Sequence, residues 1–289
     1  MPGRSILFAI SASLFFATST FLSKLLGSGT FGDALHPLQI THSRFAFGLA
    51  TALVLFLVYQ RTFTKPHYGL HCLRSTCGWL GVVILFTGVL YIPASDAVAL
   101  TFLNPVFAMV FARLILKEHI GRHRWTAAML ALVGGIMLIR PEASGMNPVA
   151  LLCIGGAIII GIEIVTIKIL ASREDVFQIL VVNNAIAVTV ASVPLIFVFD
   201  LPSPSPWAGL AAVGAVMVTG QMMFLFAMRT SDASLVAPFI YATLLFVGGL
   251  DFIVLGVRPD VISLLGGGII IASGSYIAVR EHRRRQPAS

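Results

Sequence analysis

Apolar runs of about 20 residues recur from one end of this chain to the other, and each is long enough to cross the hydrocarbon core of a bilayer as a helix. Ten are legible, at residues 5–26, 38–58, 73–91, 97–116, 125–139, 149–170, 177–199, 207–228, 235–255 and 261–279. Stretches such as 149–162 are apolar on every face, which is the pattern of a buried or lipid-facing helix and not the alternation of a membrane β-strand. A 289-residue chain that is 57% hydrophobic and only 11% charged cannot enclose that much apolar surface in a water-soluble core. The sequence predicts an all-α integral membrane protein with the lipid bilayer as its solvent.

The formal charge of +7 reports topology, because most basic residues lie at the ends of the apolar runs. With the amino terminus placed in the cytoplasm, thirteen of the nineteen Lys and Arg residues fall inside, among them Arg4, Arg61, Lys65, Arg74, Arg122, Arg124, Arg229 and the basic tail after Arg280. Only Arg140 and Arg258 fall outside, so both termini are expected in the cytoplasm of a bacterial-type inner membrane. Arg4 followed by an apolar run and small residues near Ala17 could also read as a signal peptide. That run has a counterpart later in the chain, which favours a retained helix. Cys72, Cys77 and Cys153 show no metal-ligand spacing and are expected as free thiols.

The ten runs divide into two similar groups of five. Laid without gaps over the sixth span, the first matches Leu7 with Leu151, Ile10 with Ile154, Lys24 with Lys168 and Leu26 with Leu170. Ser95-Asp96-Ala97 before the fourth span returns as Ser231-Asp232-Ala233 before the ninth, and Asn104-Pro105 then falls against Ile240-Tyr241. In the fifth and tenth spans Ala128 and Gly135 fall over Gly267 and Gly274, small residues that let membrane helices approach closely. Five is odd, so the second copy enters the membrane from the opposite side. The expectation is ten transmembrane helices in two inverted five-helix repeats, residues 1–143 and 144–280, with a basic tail at 281–289.

The stretch Leu103-Asn104-Pro105-Val106-Phe107 through Leu116-Lys117-Glu118, followed by Trp125 and Gly134-Gly135, resembles the helix-four to helix-five signature of the drug/metabolite transporter superfamily, in its ten-helix EamA branch. Val257 stands where the second half would carry the counterpart of Glu118. The resemblance implies a basket of helices around a central cavity, lined mainly by helices one, three, four, six, eight and nine, with five and ten packing the halves together. It also implies a small-molecule substrate and transport by alternating access.

Glu163, near the centre of the sixth span, is the costliest acidic position in the chain, where a charged carboxylate costs about 2–3 kcal/mol or more unless paired, protonated or wet. It is a candidate for substrate contact or for exchange of a coupling proton; the alternative is a tie between helices, with Arg44, Lys24 or Lys168 as partner. Asn104 beside the kink-forming Pro105, Gln221, Tyr241 and Trp79 complete the candidate substrate contacts. Lys24, Arg44, Lys168 and Asp251 are the candidates for gating or coupling. Lys24 and Lys168 lie near span ends, where snorkelling to the interface is the alternative.

No phosphate-binding loop occurs, since Gly266-Gly267-Gly268 lies inside an apolar span without a following lysine, and no metal or cofactor is expected. His119 and His123 sit in a short basic loop and read as a positive-inside anchor. A membrane enzyme would need nucleophiles, histidines or acids clustered at one interface, and that cluster is missing from the sequence. The sparse charge in the spans points to a neutral or zwitterionic cargo. Riboflavin uptake is the first expectation, with amino-acid or metabolite export and S-adenosylmethionine uptake as alternatives, all set by the resemblance and by an aromatic and amide cavity.

Overall fold

The computed structural model describes residues 2–30, 32, 34–92, 94–139, 148–200 and 204–284. Arg140 and Arg285 of the charge distribution lie outside these residues. The described chain is helical throughout: α1 (Pro2–Gly27), α2 (Pro37–Val58), α3 (Tyr68–Tyr91), α4 (Ala94–Thr101), α5 (Asn104–Ile115), α6 (Arg122–Ile139), α7 (Pro148–Arg173), α8 (Val176–Leu195), α9 (Trp207–Thr230), α10 (Ala233–Val236), a 3-10 turn (Ala237–Tyr241), α11 (Ala242–Leu255) and α12 (Val261–Arg284). The fourth and ninth spans are each broken in two, so these pieces make ten crossings. Among the described residues eight segments are long and apolar enough by themselves to cross a membrane. The chain is thus a multi-pass membrane protein.

Contacts between the helices repeat when the halves are exchanged. Helix α1 packs on α9 as α7 packs on α3, α2 packs on α9 as α8 packs on α3, and α5 packs on α7 as α11 packs on α1, while α2 meets α8 and α6 meets α12. The match extends to single residues. Gly81 in α3 lies against Ile160 of α7, and Gly220, equally far along α9, lies against Phe16 of α1. Phe16 and Ile160 are equally distant in sequence from Lys24 and Lys168, the lysines paired by the repeat. Equivalent caps begin α2 and α8: His36 accepts from the Leu38 amide and Asp175 from the Phe177 amide. Five crossings per copy make these two repeats inverted, related by an axis in the membrane plane.

The break expected at Asn104-Pro105 is present, and it explains two side chains. Proline has no N–H to donate, so helix α4 ends at Thr101 and α5 restarts at Asn104. The carbonyls freed by the break are then satisfied: Asn104 Nδ2 donates to Thr101 O at 2.8 Å, and the Tyr241 hydroxyl donates to Phe102 O at 2.7 Å. In the second half Pro238 sits in the 3-10 turn, and Ser13 Oγ donates to the Phe239 carbonyl at 2.9 Å. Each break is stitched to the opposite half.

Helices α6 and α12 meet through glycine, at Gly134 and Gly266. A Cβ built on Gly134 would lie 2.6 Å from Gly266 O, and one on Gly266 would lie 2.7 Å from Gly134 O. The small residues singled out from the sequence face elsewhere: Gly135 looks toward Leu244 and Tyr241, Gly267 toward Leu245 and Gly274 toward Phe239. The seam between the halves is therefore shifted by one residue from that expected, about 100° around the helix.

Candidate functional site

A cavity of about 340 Å³ lies on the pseudo-twofold axis, between α2, α3, α7, α8 and α9. Its position follows from its walls: Arg44 on α2 and Asn183 on α8 hold equivalent places in the two repeats, as do Gly78 on α3 and Met217 on α9, and all four line it. From Arg74, Ser75 and Asn183, about two helical turns in from the face carrying the termini, it runs to Leu38 in the first turn of α2 and Pro194 in the last of α8, at the end of the bundle opposite the termini.

Its chemistry is two guanidiniums around one carboxyl. Glu163 projects from α7 and interacts electrostatically with both Arg74 and Arg44. Room for the carboxyl is made by Gly78, where a Cβ would come within 3.0 Å of Glu163 Oε1. Arg74 is 3% exposed, yet its Nε and one terminal nitrogen, like Nε of Arg44, are buried without a hydrogen-bond partner. A buried N–H left unpaired costs about 1–3 kcal/mol, more when it belongs to a charged group. Around this centre stand neutral polar groups: Asn183 accepts from Ser75 at 3.4 Å, and Gln221 accepts from Asn184 at 3.4 Å.

Of the candidate substrate contacts, Glu163, Gln221 and Trp79 line this one cavity, and the gating candidate Arg44 lines it with them; Trp79 is half-exposed at its edge. Tyr241 does not join them. It is fully buried against Phe102, its hydroxyl used at the helix break, and Asn104 is used there too. Lys24 and Asp251 form a 2.7 Å ion pair between α1 and α11, away from the cavity. Lys168 donates to the carbonyls of Met228 and Ser231 at the carboxyl end of α9, where the helix dipole favours a cation. Residues at the other repeat's equivalent of Glu163 carry no charge: Ser19 donates to Val213 O at 3.2 Å and is buried.

Arg74 is the residue that sequence reasoning misplaced, as a topological anchor. Hydropathy falls off around His71, which puts Arg74 at the very end of the predicted span, but the helix itself begins at Tyr68 and carries Arg74 inside the bundle. The available signal was periodicity: His67, His71, Arg74, Ser75 and Gly78 follow at three- and four-residue steps and so share one helical face.

One turn of α3 beyond Arg74, a polar cluster closes the bundle at the face carrying the termini. Glu174 accepts from the His67 amide (2.6 Å), His67 Nδ1 (2.8 Å), His71 Nε2 (2.9 Å) and Gln178 Nε2 (2.9 Å). Gln178 Oε1 in turn accepts from the Thr64 amide at 2.8 Å and hydroxyl at 3.1 Å. Burial pushes the Glu174 carboxyl up, but these hydrogen bonds outweigh it and hold the group down at about 2. A depressed carboxyl stabilises the fold above its unfolded value and ceases to do so only as pH falls through about 2. Thermal unfolding in detergent is therefore expected to show an unchanged difference between wild type and Glu174→Gln from pH 8 to pH 5. A difference that disappears between pH 7 and pH 5 would contradict the assignment.

The pattern of the EamA-like transporter family matches this chain twice, over residues 3–140 and 147–279. The chain belongs to that family. This EamA-like protein is therefore a secondary transporter and not an enzyme. It is 27% identical over 273 residues to the pseudopaline exporter of Pseudomonas aeruginosa, covering 93% of each chain. It is 26% identical to the riboflavin transporter of Vibrio cholerae, covering 81% of this chain and 82% of that one, and 26% identical to the S-adenosylmethionine uptake transporter of Rickettsia bellii, covering 87% of each. A solved crystal structure superimposes with a TM-score of 0.81 over 98% of the chain and 99% of its own, at 18% identity, which supports the fold. In this transporter the cavity wall departs from the one implied by resemblance. Spans three, six and eight contribute, while two and seven take the places of one, four and nine, because the polar side chains Arg44 and Asn183 turn inward from α2 and α8.

Proposed function

We propose that the protein carries a small zwitterionic metabolite across a bacterial inner membrane, with the solute's carboxylate held by Arg44 and Arg74 and its cationic group by Glu163. The observation that carries this reading is the set of buried guanidinium N–H groups with no partner, lining a cavity that also holds a carboxyl. A carboxylate satisfies two such donors at once through charge-assisted bonds. It also draws the guanidiniums from Glu163, which then takes the solute's cation or, for a purely anionic solute, a coupling proton. The cavity volume is at the low end of ligand pockets, about 300–1,000 Å³, and suits one metabolite-sized molecule. The excess of basic residues on one side favours cytoplasmic termini.

Riboflavin uptake is a second reading, favoured by Trp79 and Gln221 at the cavity, which could stack on and hydrogen-bond a ring. A neutral flavin ring leaves both guanidiniums without a counter-charge, and Tyr241 and Asn104 are engaged elsewhere. The test is binding to purified transporter, with amino-carboxylic acids, their carboxamides and riboflavin as competing probes. Neutralising the carboxylate is expected to weaken competition about tenfold or more, the loss of one charge-assisted hydrogen bond. Amides that compete as well as acids would refute the proposal, and riboflavin as the strongest competitor would establish the second reading.

A further inference from the structure

We propose that Gln178 and Gln39 are opposed gate latches of this transporter, and that Glu174 biases the resting protein toward closure at the face carrying the termini. The two glutamines are equivalent: each is the third residue of its helix, after equivalent capping residues. Each reaches across to a loop of the other half, at opposite ends of the bundle. Gln178 of the second half bonds the Thr64 amide and hydroxyl between α2 and α3, and Gln39 of the first half donates to the Asp200 carbonyl between α8 and α9. Rocking of the halves that opens either face must break the glutamine bridge there.

The bridges differ in strength because the repeats differ one turn before each glutamine. Glu174 adds hydrogen bonds to His67 and His71, both buried or half-buried at the bundle end, and fixes the Gln178 amide. The equivalent position in the first half is Leu35, packed in an apolar cluster with Leu26, Ile40, Leu210 and Val213, which supplies no directional bond between the halves. At these equivalent positions, opening at the termini face breaks three hydrogen bonds, accepted by Glu174 from His67 and His71, that have no counterpart at Leu35. The cavity's extension toward the end opposite the termini agrees with that order. His71 lies one turn of α3 from Arg74, so the element that receives solute also carries the latch.

The test reads accessibility and needs no identified solute, so it can fail or succeed independently of the proposed cargo. Ser75→Cys, at the deep end of the cavity, is introduced into the full chain with Cys72, Cys77 and Cys153 changed to alanine, and labelled with an impermeant maleimide from each side of sealed vesicles. Labelling from the side opposite the termini is expected to dominate. Glu174→Gln and Gln178→Ala are expected to raise the ratio of termini-side to opposite-side labelling about fivefold or more, the scale of one net hydrogen bond, and Gln39→Ala to lower it. An unchanged ratio in all three variants overturns the proposal. Hydrogen exchange on the same variants with native cysteines separates gating from misfolding: faster exchange confined to residues 59–71 in Glu174→Gln supports a latch, and an increase spread over every helix, or none, refutes it.

Discussion

Glu163→Ala is expected to abolish transport and to destabilise the protein by about 3 kcal/mol or more, because it leaves two guanidiniums in the bundle without their carboxyl. Arg74 is almost wholly buried, so bulk water screens the loss of Glu163 poorly. Restoring charge balance separates the structural from the functional part of that loss. Glu163→Gln combined with Arg74→Gln removes the carboxyl and the more deeply buried of its two guanidiniums, which returns the centre to its wild-type net charge with Arg44 retained, and should recover part of the stability while leaving solute binding at least about tenfold weaker. Thermal unfolding in detergent and binding to purified transporter are the two measurements. Full binding in the double variant would mean that the charges only tie α7 to α3.

Gly134→Leu is expected to have a comparable effect by a different route, separating α6 from α12 and leaving a chain that expresses poorly or elutes as aggregate on size-exclusion chromatography. The atom in the way, Gly266 O, is backbone at 2.6 Å from the added Cβ, so no side-chain rotation can relieve the clash. Overpacking of this kind costs about 1–3 kcal/mol or more, and helices in lipid have no hydrophobic drive to hold them together against it. The neighbouring Gly135→Ala tests whether the cause is local. Its Cβ would lie 3.3 Å from Leu244 Cδ1, the far end of a side chain that can turn, and a change within about 1 kcal/mol is expected. Equal damage from both substitutions would show that helix flexibility, and not this contact, governs the seam.

Legibility of the site followed the visibility of each interaction. Glu163 stood out because an acidic residue in the middle of a 26-residue apolar helix has no local explanation. Arg44, Gln221 and Trp79 stood out for similar reasons, as polar or amphipathic groups within spans. Tyr241 and Asn104 looked equally promising, but a broken helix consumes polar groups locally, and hydropathy cannot tell a hydroxyl spent on a freed carbonyl from one facing solute. Lys24 and Asp251, named separately as gating candidates, proved to be one ion pair whose members are 227 positions apart. Lys168, the repeat counterpart of Lys24, found helix-end carbonyls instead.

By itself the sequence determined the solvent, the number of crossings, the duplication and its inversion, because bilayer thickness, charge at span ends and the parity of five act on every span separately. Only the tertiary structure decided that Arg74 belongs beside Glu163, that the cavity is walled by α2 and α8, and that the halves touch at Gly134 and Gly266. The reason is geometric. Which face of a uniformly apolar helix turns inward is left open by hydropathy, and is settled when each helix finds partners that satisfy its few polar atoms and admit its smallest residues.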